Sequence, residues 1–337
     1  MKSIAIIRLS SLGDIVHTLP AFQLLRRHFP DARITWIVEA AGAALLENFS
    51  GIDEIVVFNL KSRQGLFAKT IYLFRFVRRW RRQFNLVLDF QGLIKSALLA
   101  FLLAGRRFGF CAKNARESMA AWFYSRRAVY FPEERHVIFK NIHLLSMLGI
   151  HETTVAYPLK KIAASQPLRK LLSELHWPAR RYIILNVGGG WPTKVLSPAQ
   201  WLEVIAGLKA DYPLVLLWGN KREKAMAAAL ASQGGVTLAP FMDFSDLIFF
   251  IDQALLVMSG DTLALHLADM TQTPAVGIFG PSSPQRNGPL FSRSRTIFQQ
   301  LPCSFCYRRK CDTMICLKNI LIADIITAVR EIDESSD

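Results

Sequence analysis

The sequence predicts an α/β protein built from two doubly wound domains in tandem, and three observations predict it. Short apolar runs of strand length alternate with stretches of helical spacing almost throughout. The alternation breaks once, near residues 151–168, and then restarts. Both halves place Gly-, Ser- and Asp-containing loops directly after apolar runs, where an open parallel sheet binds its ligands. At 337 residues the chain is too long for one ordinary core and suits two domains.

In the first half, residues 3–8 read as a strand, and the spacing of Ile15, Leu19, Phe22 and Leu25 predicts a helix over 15–28. Strands follow at 34–38 and 55–58, then a helix with a very basic end at 66–82, a strand at 86–88 and a helix over 93–103. The most apolar stretch, 96–104, reads as a buried helix. Such a βαβ succession implies a parallel sheet with helices on both faces. Residues 151–168 are polar, lack a period and contain Pro158 and Pro167, which marks a boundary. In the second half strands are expected at 182–187, 214–217, 255–258 and 276–279. A turn is expected at Gly188-Gly189-Gly190, and a helix over 198–210 with Ser197 as its N-cap. The expected division is 1–155, 156–316, and a helical end, 317–337, that packs back on the first domain.

Hydrophobic residues make up 51% and charged residues 20%, which excludes a disordered chain. No apolar run reaches the length that spans a bilayer. The apolar start reads as a first strand and not as a signal peptide, so a cytoplasmic protein is expected. The formal net charge is +15, and residues 61–140 alone hold 17 Lys/Arg against 4 Asp/Glu. A patch so one-sided attracts something anionic: nucleic acid, an anionic membrane or a phosphorylated substrate.

The first strand runs into Leu9-Ser10-Ser11-Leu12-Gly13-Asp14, and a helix opens at once. Such a loop exposes backbone N–H groups, and Asp14 lies at the mouth of the sheet. Capping is the ordinary use of Asp at a helix start. The loop is neither a phosphate-binding GxxxxGK[ST] nor a dinucleotide GxGxxG. If two domains face one another across a cleft, Asp14 is placed to take a proton from an attacking hydroxyl. One carboxylate suffices for direct displacement at a sugar carbon, whereas a hydrolase wants a second as its acid.

In the second half, Ser259-Gly260-Asp261-Thr262-Leu263-Ala264-Leu265-His266 follows a strand and starts a helix. His266 lies four residues beyond Thr262, on the same face. A capped helix with a core histidine is the bland alternative to a phosphate site. Three more loops converge on that sheet edge. Lys194, after the glycine turn, can neutralise a diphosphate. Glu223, after Trp218-Gly219-Asn220, can accept hydrogen bonds from a ribose, and Phe241-Met242 can flank a base.

On these residues the chain resembles the lipopolysaccharide heptosyltransferases, which are inverting, metal-independent enzymes of the two-domain GT-B type. The resemblance rests on Leu9 to Pro20, Asp89-Phe90-Gln91-Gly92-Leu93-Ile94-Lys95-Ser96-Ala97, Ala115-Arg116-Glu117, the Asp261 to His266 stretch, and Phe279-Gly280-Pro281-Ser282. The Asp89–Ala97 and Ala115-Arg116-Glu117 stretches resemble heptosyltransferase I more than II. The resemblance implies that Asp14 is the base. It implies that Gly189, Gly190, Lys194, Glu223, Met242, Asp261, Thr262, Leu263 and His266 hold an ADP-sugar donor. Ser10, Ser11, Gly13, Lys61, Arg63 and Arg116 then meet a lipid-anchored anionic saccharide, lipid A bearing Kdo. The chain departs from the family at Gly189 and Gly190, where hydroxyl residues are usual, and at Leu263, where Gly is usual. The resemblance also implies an acceptor-binding first domain, a donor-binding second domain, no nucleic acid and no catalytic cofactor. It places the protein at the inner face of the inner membrane, on an anionic surface.

Two features stand apart. Cys303-x2-Cys306-x4-Cys311-x4-Cys316 gathers four of the five cysteines, and in a cytoplasmic protein it suggests a structural zinc site, against reduced thiols in a loop. The segment from Phe74 to Arg82 mixes aromatics with arginines, which suits a membrane surface, nucleic acid, or an ordinary helix with a charged face. Heptosyl transfer explains most of these features. Transfer from another nucleotide sugar is the alternative within enzymes. A basic nucleic-acid-binding protein would explain the charge but not Asp14, Lys194 or the Asp261–His266 stretch.

Overall fold

The computed structural model describes every residue except 61, 176, 178, 179, 336 and 337. The chain divides into two compact units, Met1–Lys161 and Ile162–Asp337.

The first unit holds β1 (Ser3–Ile7), β2 (Arg33–Val38), β3 (Glu54–Val57), β4 (Leu86–Asp89), β5 (Arg107–Gly109) and β6 (Arg126–Arg127). They form one parallel sheet in the order β3-β2-β1-β4-β5-β6. Ile4 to Ile7 and Leu86 to Leu88 are wholly buried, as central strands covered on both faces must be. The strand order reverses between β1 and β4, and Ile7 pairs with Asp89. The loops after both strands therefore leave the sheet level and side by side, at the point where such folds bind ligands.

The second unit repeats the plan with β7 (Ile183–Asn186), β8 (Leu214–Leu217), β9 (Thr237–Leu238), β10 (Leu256–Gly260), β11 (Ala275–Phe279) and β12 (Arg295–Phe298). The order is β12-β11-β10-β7-β8-β9, all parallel, with its switch point between β7 and β10. Asn186 pairs with Ser259 there.

The α/β class with two doubly wound units stands as read from the sequence, and the structure corrects several details. The unexpected strands β5, β6, β9 and β12 lie on the far sides of the two sheets. Three of them are only two or three residues long, and their arginines and threonine hide any apolar period. The helix expected over 15–28 is two helices, Leu12–Val16 and Leu19–His28. Thr18 stands at the junction with its hydroxyl donating to the Asp14 carbonyl at 2.8 Å, and Pro20, which has no N–H to donate, belongs in a first turn and not mid-helix. In the stretch expected to be buried, Leu98 and Phe101 are exposed. The terminal helix Ile322–Glu334 falls within the second unit. Its face of Ile325, Ala328, Val329 and Ile332 is part of the second unit's own core.

The basic helix Leu66–Trp80 buries Phe76 and Trp80, and the Phe76 ring meets Phe58 edge-on at 4.9 Å. Its other face leaves Leu66 (82%), Phe67 (79%) and Phe74 (65%) exposed.

Candidate functional site

In the first unit the switch-point loops are tied together by one side chain. Gln91, buried after β4, accepts from the backbone N–H of Leu9 and Ser10 at 3.0 and 3.1 Å. Arg8 leaves β1 buried and donates to the Phe90 carbonyl and to Asp14 Oδ1, the latter an ion pair of 2.8 Å. Asp14 Oδ2 accepts from Ser11 N at 3.2 Å and Ser11 Oγ at 3.0 Å. Asp14 is thus a capping residue, as its position allows, and yet its side chain keeps 28% exposure. Burial pushes its carboxyl up, but the Arg8 guanidinium, the Ser11 bonds and the Arg116 charge outweigh that and hold it below the usual range.

Arg116 comes close because the loop it sits on is pinned to the 89–92 turn. Glu117 N donates to Gly92 O at 3.0 Å, and Glu117 Oε2 accepts from Ile94 N at 2.7 Å. Gly92 has φ +66, and a Cβ there would press on the Arg116 backbone at 3.1 Å. The turn is fastened by buried Asp89, which accepts from Gln91 N, Ser96 Oγ and Tyr124 Oη, each at 2.8 Å. Burial pushes the Asp89 carboxyl up.

The structure therefore brings Ser10, Ser11, Gly13, Asp14 and Arg116 together. The Arg63 guanidinium lies over the ring of Tyr72, which is on the basic helix, at 5.0 Å. Lys61 lies outside the described residues. Arg8 and Gln91 are central here. Arg8 reads as the end of a strand, and only an Arg-x5-Asp spacing hinted at its pairing.

In the second unit Asp261, its side chain 4% exposed, gathers three partners. Lys194 Nζ lies 2.6 Å from Oδ2, His266 Nε2 lies 3.3 Å from Oδ1, and Asn287 Nδ2 donates to Oδ2 at 3.1 Å. Burial raises its carboxyl, and His266 and Lys194 pull it far below the usual range. Gly260 is required beside it, because a Cβ would run into the Lys194 carbonyl. Thr262 begins the helix Leu263–Thr271. Its hydroxyl is turned to Asn186 Nδ2 and Ser259 Oγ, each at 2.9 Å, and not back onto the helix. The first N–H groups of that helix, with Leu263 leading, thus keep their capacity to bind an anion.

Around this centre, Gly188 lies so close to Glu223 that a Cβ would strike its carboxylate, and Glu223 Oε2 accepts from Gly219 N at 2.8 Å. Gly189 and Gly190 follow, half-buried and exposed, and lead to Lys194, whose ammonium stands 4.3 Å over the Trp191 ring. Past β9, exposed Phe241 meets Trp218 at 5.8 Å, with half-buried Met242 next to it. Asn186 and Asn287 escaped the sequence reading, since a lone Asn at a strand end or in a short helix carries no motif.

The four clustered cysteines carry no disulfide and line one small pocket of the second unit. Among the described residues, no three His, Cys, Asp or Glu side chains already stand as a metal-holding group.

Comparison with known proteins adds the family. The model of glycosyltransferase family 9 (heptosyltransferase) matches residues 73–315. Lipopolysaccharide heptosyltransferase 1 of Campylobacter coli is 28% identical over 297 residues, 84% of this chain and 85% of that one. Its Escherichia coli K12 counterpart is 27% identical over 290 residues, 83% of this chain and 88% of that one. Among solved structures, the E. coli heptosyltransferase WaaC with ADP-2-deoxy-2-fluoro heptose superposes with a TM-score of 0.73 at 22% identity, covering 99% of this chain and all of that one. A family 9 glycosyltransferase from Veillonella parvula gives 0.79 at 19%, covering 99% and 97%. These structures share the α/β fold expected of the GT-B type. The chain therefore belongs to glycosyltransferase family 9, the heptosyltransferases, and is a glycosyltransferase.

Proposed function

We propose that this enzyme transfers heptose from ADP-heptose to the Kdo–lipid A inner core of lipopolysaccharide, with inversion at the anomeric carbon. The observation that carries this is the contrast between the two switch points: an ionised, solvent-reachable Asp14 in one unit, and a buried carboxylate that holds a lysine and a histidine beside an open helix end in the other. An acceptor hydroxyl forms the new bond to the anomeric carbon while the bond from that carbon to the ADP oxygen breaks. ADP leaves with the electron pair, and the hydroxyl proton passes to Asp14. A carboxylate held as low as Asp14 is a weak base. It orients the hydroxyl through its free lone pair and takes the proton once bond formation has made that oxygen acidic. The charge that develops on ADP is met by Lys194 and the helix end after Thr262. No metal is needed for that charge.

ADP-heptose as donor is supported by the ligand of the E. coli neighbour, and a lipopolysaccharide acceptor by the curated relatives. An anionic membrane surface as partner is supported by the basic helix, whose exposed Leu66, Phe67 and Phe74 are interspersed with Lys69, Arg75, Arg78 and Arg79. No helix of the described residues is long and apolar enough to cross a membrane. The test is ADP release from ADP-heptose in the presence and absence of Kdo–lipid A. Acceptor-dependent release is expected. Release with another nucleotide sugar only would replace the donor and leave the enzyme class standing.

A further inference from the structure

Residues 301–316, between β12 and the terminal helix, touch the core only in part, through Met314 and Cys316. From Leu301 to Cys316 not one residue is fully buried. Three non-glycine residues there, Phe305 (φ 63), Tyr307 (φ 50) and Met314 (φ 47), sit in the left-handed region that side chains disfavour. Even so, the segment is fastened to the loops of the donor half. Thr193 Oγ1 donates to Arg308 O at 2.7 Å, and Tyr307 N donates to Pro281 O at 3.1 Å. Arg309 lies over the Trp191 ring at 4.9 Å. A loop without buried apolar residues needs a staple, and metals and disulfides are the staples small folds use.

The cysteines are placed to supply one. Cys303, Cys306, Cys311 and Cys316 line a single pocket, with Thr193 and Gly280 of the donor loops in its wall. Left-handed Tyr307 directly follows Cys306, and left-handed Met314 turns its N–H to Cys311 Sγ at 3.5 Å. A backbone that wraps N–H groups around a sulfur stabilises a thiolate, the form that binds metal. Among the described residues the sulfurs do not yet surround one point, so the site requires them to move together.

We propose that these four thiolates bind one thiophilic divalent cation, zinc or iron(II), in a closed tetrahedral site. The cation braces the loop that carries Thr193 and Lys194. All four positions are filled by sulfur, so the ion is structural and takes no part in sugar transfer. Binding releases the thiol protons to solvent and changes no oxidation state.

The test uses the full chain purified under reducing conditions without chelator. Elemental analysis is expected to find about one zinc or iron per chain, and which of the two it finds separates the sources. Stripped protein reloaded with cobalt(II) is expected to show the sulfur-to-metal absorption of a tetrahedral thiolate site. The Cys303→Ser/Cys306→Ser protein loses both, and Cys111→Ser, in the other unit, keeps both. Metal removal is expected to lower Tm and to raise the KM for the nucleotide sugar several-fold while kcat moves little. Should the double variant fail to fold, wild-type stoichiometry and the cobalt spectrum still decide. Sub-stoichiometric metal with no cobalt spectrum, or two disulfides in freshly purified protein, overturns the site. None of these readouts depends on which sugar is transferred.

Discussion

Each unit places an aspartate beyond one of the two central strands at its switch point, Asp14 after β1 and Asp261 after β10, and the two have opposite surroundings. Asp14 has one cationic contact, shares a cap with Ser11 and stays 28% exposed. Asp261 has Lys194, His266 and Asn287 around it and is 4% exposed. Both carboxyls sit below their usual range, but for different ends. A carboxylate that solvent still reaches can work on a substrate. One shut away among its partners holds other groups in place. Position in the fold thus brings a carboxylate to the ligand edge, and its partners decide what it does there.

The largest expected effect breaks the first half of that comparison. Asp14→Ala should lower kcat by about 100- to 10,000-fold, the usual worth of a positioned proton acceptor. It should cost about 1–3 kcal/mol of stability, for the lost cap and for a buried Arg8 (side chain 8% exposed) left without its carboxylate at an edge that solvent still reaches. Acceptor-dependent ADP release and urea unfolding check the two figures.

Next comes the converse. Asp261→Ala leaves Lys194 (11% exposed) without its counter-ion and takes one partner from His266 (7%), which costs about 3–5 kcal/mol in comparable buried pairs. Urea unfolding reads it directly, and donor KM should rise because Lys194 loses its anchor.

A pH series sharpens the same point. Asp261 has its carboxyl lowered in the folded state, so its stabilisation is present above the unfolded value near 3.9 and is lost as pH falls through the folded one. Wild-type stability should therefore fall as pH is taken below about 4, and Asp261→Asn should flatten that fall. An equally steep acid limb in the variant would assign it to other carboxylates.

Gly188→Ala should have a smaller effect. The added Cβ displaces the Glu223 carboxylate, so donor KM rises several-fold with kcat kept. The smallest is a control: breaking the exposed Lys170–Glu174 pair, 3.7 Å apart, should change unfolding free energy by less than about 0.5 kcal/mol.

Much of this was legible in the sequence because central strands and switch-point loops are written in local pattern. Ile4 to Ile7 and Leu214 to Leu217 are continuous apolar runs, and Asp14, Lys194, Asp261 and His266 lie in the loops after such runs or at the start of the helices those loops open. What was not legible depends on distant residues. Gln91 meets Leu9 and Ser10 across 82 and 81 positions, and Asn287 meets Asp261 across 26. The two-residue strands β6 and β9 exist only because a neighbour offers a ladder. The terminal helix has an amphipathic pattern, which fixes that it packs but not on which unit.

The most direct test puts Asp14→Asn and Asp261→Asn side by side, with single-turnover rate and unfolding free energy measured on the same preparations. Opposite profiles are expected: Asp14→Asn loses turnover and keeps most of its stability, and Asp261→Asn loses stability with a smaller change in the saturated rate. If Asp14→Asn turns over at the wild-type rate, Asp14 is a cap and nothing more, and the assignment of the first switch point as the site of proton transfer is wrong.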